Sequence, residues 1–304
     1  MTALKQPVSV ETKDCVLSLR RRYSIREVAN QTGLPVGTVK TICSRSGAFR
    51  DNERLRAMCS LPPIRVSAET LPAAPTLPQQ QKVTGDGEID AVLWLRECIS
   101  TGQAVMIDLA MQQVKKIKTP LGELEERYRK LVVRANPGNL FAAMNTFGFA
   151  DLEMLAEKSK KKAALRHEAY SRFGDRVFEP TAAEQYCIDT LNGVGLDRYG
   201  FIDDEAAAER FRADPDMLPN TLADCLHEMR YWDELRSLRY AFGTTDGDPP
   251  QEVSARESFL FSCMATIRPR SKDESLQVLR WMIEDKQNRF DRTHTDAILL
   301  NLIG

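Results

Sequence analysis

The three histidines, His167, His227 and His294, are far apart along the chain. Cys225 and His227 are separated by one residue, so on a helix they point to different sides, which is poor geometry for a shared metal ion. The seven cysteines (Cys15, Cys43, Cys59, Cys98, Cys187, Cys225, Cys263) show no paired spacing. They read as reduced, mostly buried small residues rather than as a disulfide framework or a zinc cage. Asp203, Asp204 and Glu205 crowd three carboxylates. Such a run can attract a cation, but at a helix start the same residues are stabilised by the helix dipole, and that reading is preferred. The stretch NGVGLDRYG (192–200) has glycines but neither the lysine nor the strand-loop-helix context that phosphate cradling requires, so it reads as a loop. A recombinase would need a nucleophilic Ser or Tyr amid clustered arginines, and a transposase carboxylates on a central sheet; no basic cluster is clearly tied to a nucleophile and no sheet is evident. The sequence therefore points away from an enzyme and implies no cofactor and no metal.

What remains is concentrated positive charge. Residues 1–60 hold eleven Lys or Arg against five Asp or Glu; with a net charge of -1 overall, the remainder carries -7. A basic end on an acidic body suits a polyanionic partner. A second basic run, Lys158, Lys160, Lys161, Lys162 and Arg166, lies in a helical pattern. Such a run on a helix is normally a solvated face balanced by neighbouring acids, which is what this run predicts; contact with a DNA backbone is the alternative.

The elements that must position the first cluster can be read locally. Ser24 and Glu27 form a capping box that starts a helix at Ile25 and turns Val28 and Ala29 inward. Gly33 ends that helix where positive φ is wanted, and Leu34 packs beneath the turn. Pro35 is tolerated in the first turn of the next helix, whose inner stripe is Val39 and Ile42. Counted from Ile25, the apolar places fall at four, ten, fifteen and eighteen, with Ala at five and Gly at nine. Together with a preceding helix around KDCVLSLRRRY, residues 12–45 resemble the three-helix helix-turn-helix unit of bacterial repressors and of the DNA-binding domains of site-specific recombinases. The resemblance implies that Val36, Gly37, Thr38, Lys40, Thr41 and Ser44, with Arg45 at the exit, face the major groove. It also implies that Arg20, Arg21, Arg22 and Arg26 meet phosphates. Gly37 departs from an ideal base-reading position because it brings no side chain.

The rest of the chain frames this unit. Residues 61–87 contain five prolines and two glycines but no aromatic residue, which reads as a flexible linker. From Glu88 onward apolar residues recur at three and four, not two. Ile89, Val92, Leu93 and Ile99 make one inner face, and Val105, Leu109 and Val114 the next. Thr119 and Pro120 stand where an N-cap and first helical residue belong. Thr181 with Glu184, Thr221 with Asp224, Ser254 with Glu257 and Ser271 with Glu274 mark four further helix starts. Trp232, Leu235, Leu238 and Phe242 read as a core or helix-helix stripe. These signals predict an all-α protein: a helix-turn-helix domain at 1–60, a linker at 61–87 and a helical domain at 88–304.

The 42% hydrophobic and 28% charged fractions are those of a globular protein. No apolar run is long enough for a membrane span and the N-terminus lacks a signal-peptide core, which predicts a cytoplasmic protein with no membrane partner. The expected function is a sequence-specific DNA-binding protein of bacterial or phage type. It would be a transcription regulator acting as a homo-oligomer on double-stranded DNA, since one small domain buries too little surface for useful specificity. The alternative is an assembly or adaptor protein, small terminase-like or replication-associated, whose helical body docks a protein partner.

Overall fold

The computed structural model describes residues 8–20, 23–47, 49–65, 78–139, 141–243, 249–284 and 292–303. Among these residues there are fourteen α-helices and no strand; the only β feature is an isolated bridge between Leu196 and Ile202. The helices are α1 (Val10–Arg20), α2 (Ile25–Thr32), α3 (Val36–Ser46), α4 (Glu53–Met58), α5 (Gly87–Ser100), α6 (Ala104–Val114), α7 (Leu121–Ala135) and α8 (Leu152–Phe173). They are followed by α9 (Ala182–Leu191), α10 (Asp204–Arg212), α11 (Leu222–Tyr240), α12 (Gln251–Thr266), α13 (Lys272–Glu284) and α14 (Arg292–Ile303). The protein is all-helical, and among the described residues no helix is long and apolar enough to cross a membrane. Most of the proline-rich stretch, 66–77, lies outside the described residues.

The chain divides into two compact units that do not follow chain order. One comprises Met1–Leu61, Glu179–Arg236 and Asp248–Gly304; the other comprises Pro62–Phe178 and Ser237–Gly247. This division sharpens the charge asymmetry. The second unit holds eighteen Lys or Arg against fifteen Asp or Glu, a net of +3. The acidity is confined to 179–236 and 248–304, with thirteen against twenty-three.

In the first unit, α12 packs against α9, α10 and α14. At its centre lies Arg256, fully buried, which donates to both carboxylate oxygens of Glu228 at 2.8 and 2.9 Å and to the Met217 carbonyl. The rings of Phe211 and Phe259 lie 4.9 and 5.2 Å from its guanidinium carbon. A charge this deep is tolerable because a full counter-charge and aromatic faces replace water.

Of the four expected Ser or Thr starts beyond residue 180, three cap their helices and one does not. Thr181 and Glu184 form the reciprocal box, and Thr221 and Asp224 exchange the same pair of bonds. Ser271 accepts from the Glu274 N–H, while the Glu274 carboxylate turns to the N–H groups of Arg270 and Ala223. Asp203 caps α10, with Asp204 and Glu205 in its first turn. Ser254 with Glu257 is the exception: α12 starts one turn earlier, at Gln251, because Pro250 takes the N-cap, so Ser254 lies within the helix.

In the second unit, α5, α6, α7 and α8 enclose Ile89, Val92, Leu95, Ile99, Ile107, Leu124, Phe149, Leu152 and Ala156. Asp86 caps α5, and the buried Asp90 carboxylate accepts from the Val83 and Thr84 N–H groups and the Thr84 hydroxyl. Burial pushes this carboxyl up, but these bonds and the Gly85 N–H outweigh it and hold Asp90 below its ordinary value. The expected inner stripe of α6 is displaced: Val105 and Leu109 are 70% and 50% exposed, while Ile107 and Ala110 are buried. Thr119 does not cap α7; Pro120 is the N-cap and the Thr119 hydroxyl donates to Glu88. At the α5–α6 corner, Gly102 (φ 75°) presses on α8 so closely that a Cβ would fall 2.7 Å from both the Ala163 Cβ and the Ser159 carbonyl oxygen.

Candidate nucleic-acid interface

Helices α1, α2 and α3 pack on one another around Val16, Val28, Ala29, Val39 and Ile42, with Leu17, Leu19, Ile25 and Leu34 against this core. Ala29 lets α2 and α3 cross closely because a larger side chain would hold them apart. The Ser24–Glu27 box starts α2: the Glu27 N–H donates to Ser24 Oγ, and the Ser24 N–H donates to Glu27 Oε2 at 2.7 Å. The Ser24 hydroxyl and N–H hold the Glu27 carboxyl below its ordinary value. Gly33 closes α2 at φ 66°, and Pro35 stands one residue ahead of α3, its carbonyl accepting from the Thr38 and Val39 N–H groups.

With Val39 and Ile42 turned inward, the opposite side of α3 is open. Val36, Gly37, Lys40, Thr41, Ser44 and Arg45 are exposed and Thr38 is half-buried. At 100° per residue, positions 36, 37, 40, 41, 44 and 45 cover one half of the helix surface. Two of these side chains are already engaged. The Thr41 hydroxyl donates to the Gly37 carbonyl at 2.8 Å, leaving its methyl and oxygen lone pairs outward. Ser44 Oγ receives a long bond, 3.4 Å, from Arg50. Arg50 was not among the expected contacts. Its N–H donates to the Gly47 carbonyl, and this turn returns its side chain to the exit of α3. A basic residue three past the helix-ending glycine was the available signal.

Among the four arginines expected at phosphates, Arg26 is exposed in the first turn of α2. Arg20 is half-buried: it donates to the Tyr23 carbonyl at 3.0 Å and lies 5.5 Å over the Phe49 ring. Arg21 and Arg22 lie outside the described residues.

Immediately after this surface the chain is fastened to α11. Asn52 caps α4 through its side-chain oxygen, and its amide nitrogen donates to the carbonyls of Asp216 and Leu218. The fully buried Asp224 carboxylate accepts from the Asn52 N–H, from Arg56 Nε at 2.7 Å and from the Asn220 and Thr221 N–H groups. It thus caps α11 and clamps α4 at once. Asp51 accepts from Arg56, Arg270 and the Thr221 hydroxyl. Leu55 and Cys59 are buried beneath α4, and burial raises the Cys59 thiol well above its ordinary value.

Comparisons with protein-family models, with curated proteins and with solved structures return no match. Among the described residues no three His, Cys, Asp or Glu side chains converge as a metal site. Cys225 is buried, and His227 makes its bond to the Arg56 carbonyl.

Proposed function

We propose that this protein is a sequence-specific DNA-binding protein, a transcription regulator acting as an oligomer, in which α1–α3 serve as a helix-turn-helix unit and α3 enters the major groove. The supporting observation is the division of α3. Its apolar positions fill a small core, while Lys40, Thr41, Ser44 and Arg45 stand exposed on the far side with Arg50 beside them. Lys40 can address a guanine edge or a phosphate, and the Thr41 methyl can meet a thymine methyl. In this reading Arg26, Arg45 and Arg50 supply the salt-dependent phosphate contacts. In this reading the clamp at α4 ties the unit to α11, so that the helical body sets the spacing between two copies on repeated half-sites.

The test is selection of bound fragments from genomic DNA by the full chain, alongside a Lys40→Ala/Thr41→Ala variant. The expected outcome is an enriched site whose preference the variant flattens with its melting temperature unchanged. An unchanged preference, or a loss of stability matching the loss of binding, overturns the assignment of α3.

A further inference from the structure

The basic run on α8 behaves differently from a balanced surface helix. Lys158, Lys160, Lys161 and Lys162 are all exposed, whereas Leu152, Ala156 and Ser159 are buried on the other side. Among the described residues the ion pair found within α8 joins Arg172 to Glu168, near its C-terminal end, and none involves these lysines. Arg166 is held by the Ala241 carbonyl and does not join them. With Glu157 counted, 157–162 carries a net +3, in a unit that is itself +3.

Lys158, Lys161 and Lys162 are related by three and four residues and share one side of the helix. Their Cα atoms span about 6 Å along the axis, comparable with two rises of about 3.4 Å of duplex axis per charge of one strand. All are lysines, point charges on long stems, whereas the two arginines of α8 are engaged by the Ala241 carbonyl and Glu168, and its Tyr170 and Phe173 are half-buried. A lipid surface is the less suitable partner: an interfacial helix needs a broad apolar face, and here that face is buried, leaving Met154 as the exposed large apolar residue of α8.

We propose that Lys158, Lys161 and Lys162 form a second, sequence-independent contact for the phosphate backbone of double-stranded DNA. The proposal rests on the DNA-binding reading above, and it adds a surface that contributes affinity without specificity.

The experiment compares three full-length proteins by fluorescence anisotropy on a duplex of arbitrary sequence, between about 50 and 200 mM salt. They are the natural chain, Lys158→Gln/Lys161→Gln/Lys162→Gln, and Lys40→Ala/Thr41→Ala/Arg45→Ala. At about 0.9 per neutralised phosphate, the α8 variant should make the slope of log affinity against log salt shallower by about 2–3. A further protein, with Lys→Arg at the same three positions, should restore it, which separates charge from any loss of folding. An unchanged slope, or failure of the natural chain to bind duplex at low salt, overturns the proposal. If the α3 variant abolishes all binding and the α8 variant changes nothing, the α3 reading survives alone. If only the α8 variant weakens binding, the reverse holds. Vesicles of phosphatidylserine and phosphatidylcholine form the last arm: α8-dependent binding to them, without effect on duplex, transfers the surface to lipid.

Discussion

Asp224 offers the sharpest test of how α4 is held. Asp224→Asn keeps the shape but removes the charge and turns an amide group toward N–H donors. The carboxylate accepts from Asn52, Arg56, Asn220 and Thr221, with no solvent to replace them. Losing the charge-assisted bond to Arg56 costs about 1.5–3 kcal/mol, and leaving one buried N–H facing another donor costs a further ~1–3 kcal/mol. Together a loss of about 2.5–6 kcal/mol corresponds to roughly 5–24 °C in the unfolding midpoint of a unit this size. Because Asp224 serves two helices, a midpoint alone does not say which one yields. Thiol labelling read by mass spectrometry does: Cys59 lies under α4, whereas Cys187 and Cys225 are buried in the helical body, and burial raises all three thiols. Under native conditions Cys59 should label faster in the variant while Cys187 and Cys225 stay protected. A midpoint within about 1 °C of the natural chain refutes the clamp, since ordinary surface substitutions change stability by no more than ~0.5 kcal/mol. Parallel exposure of all three thiols refutes local detachment.

Two further outcomes follow from buried charge. Arg256→Met, which strands the Glu228 carboxylate, should lower stability by about 3–5 kcal/mol in urea titration, and adding Glu228→Leu should recover much of it; equal loss in single and double variants would show that packing, not the pair, dominates. The Asp90 carboxyl is held below its unfolded value, so its contribution is complete above the ordinary carboxylate range and is lost as pH falls through the lower folded value. Thermal melts of Asp90→Asn should therefore be flatter than the natural chain over that acid window, and identical pH profiles would contradict the assignment.

Local chemistry was legible where the whole signal lay within a few residues. The boxes at Ser24 and Thr181, and the acidic start of α10 at Asp203, Asp204 and Glu205, needed only a hydroxyl or carboxylate near free N–H groups. The same rule misplaced the start of α12, where Pro250 decides the matter a turn earlier than Ser254. Periodicity identified α6 as a helix but not its inner face: Val105 and Leu109 repeat as well as Ile107 and Ala110, and only the neighbours α5 and α8 decide which pair is covered. Least legible was the docking of α4. A six-residue helix has little periodicity, and the carboxylate that anchors it lies 172 residues from Asn52. The non-contiguous grouping of the chain has the same origin, because pairings at that separation leave no local mark. At the candidate interface, the outward set on α3 came from register, while Arg50 depended on a turn beyond the helix end.

Gly102 gives the α5–α6 corner a fixed address on α8. With no room for a single extra carbon between that corner and the Ser159–Ala163 backbone, neither helix can slide past the other by a residue without collision. The three lysines are thereby indexed from behind: the missing methyl of one glycine fixes the register of the α8 backbone that carries them.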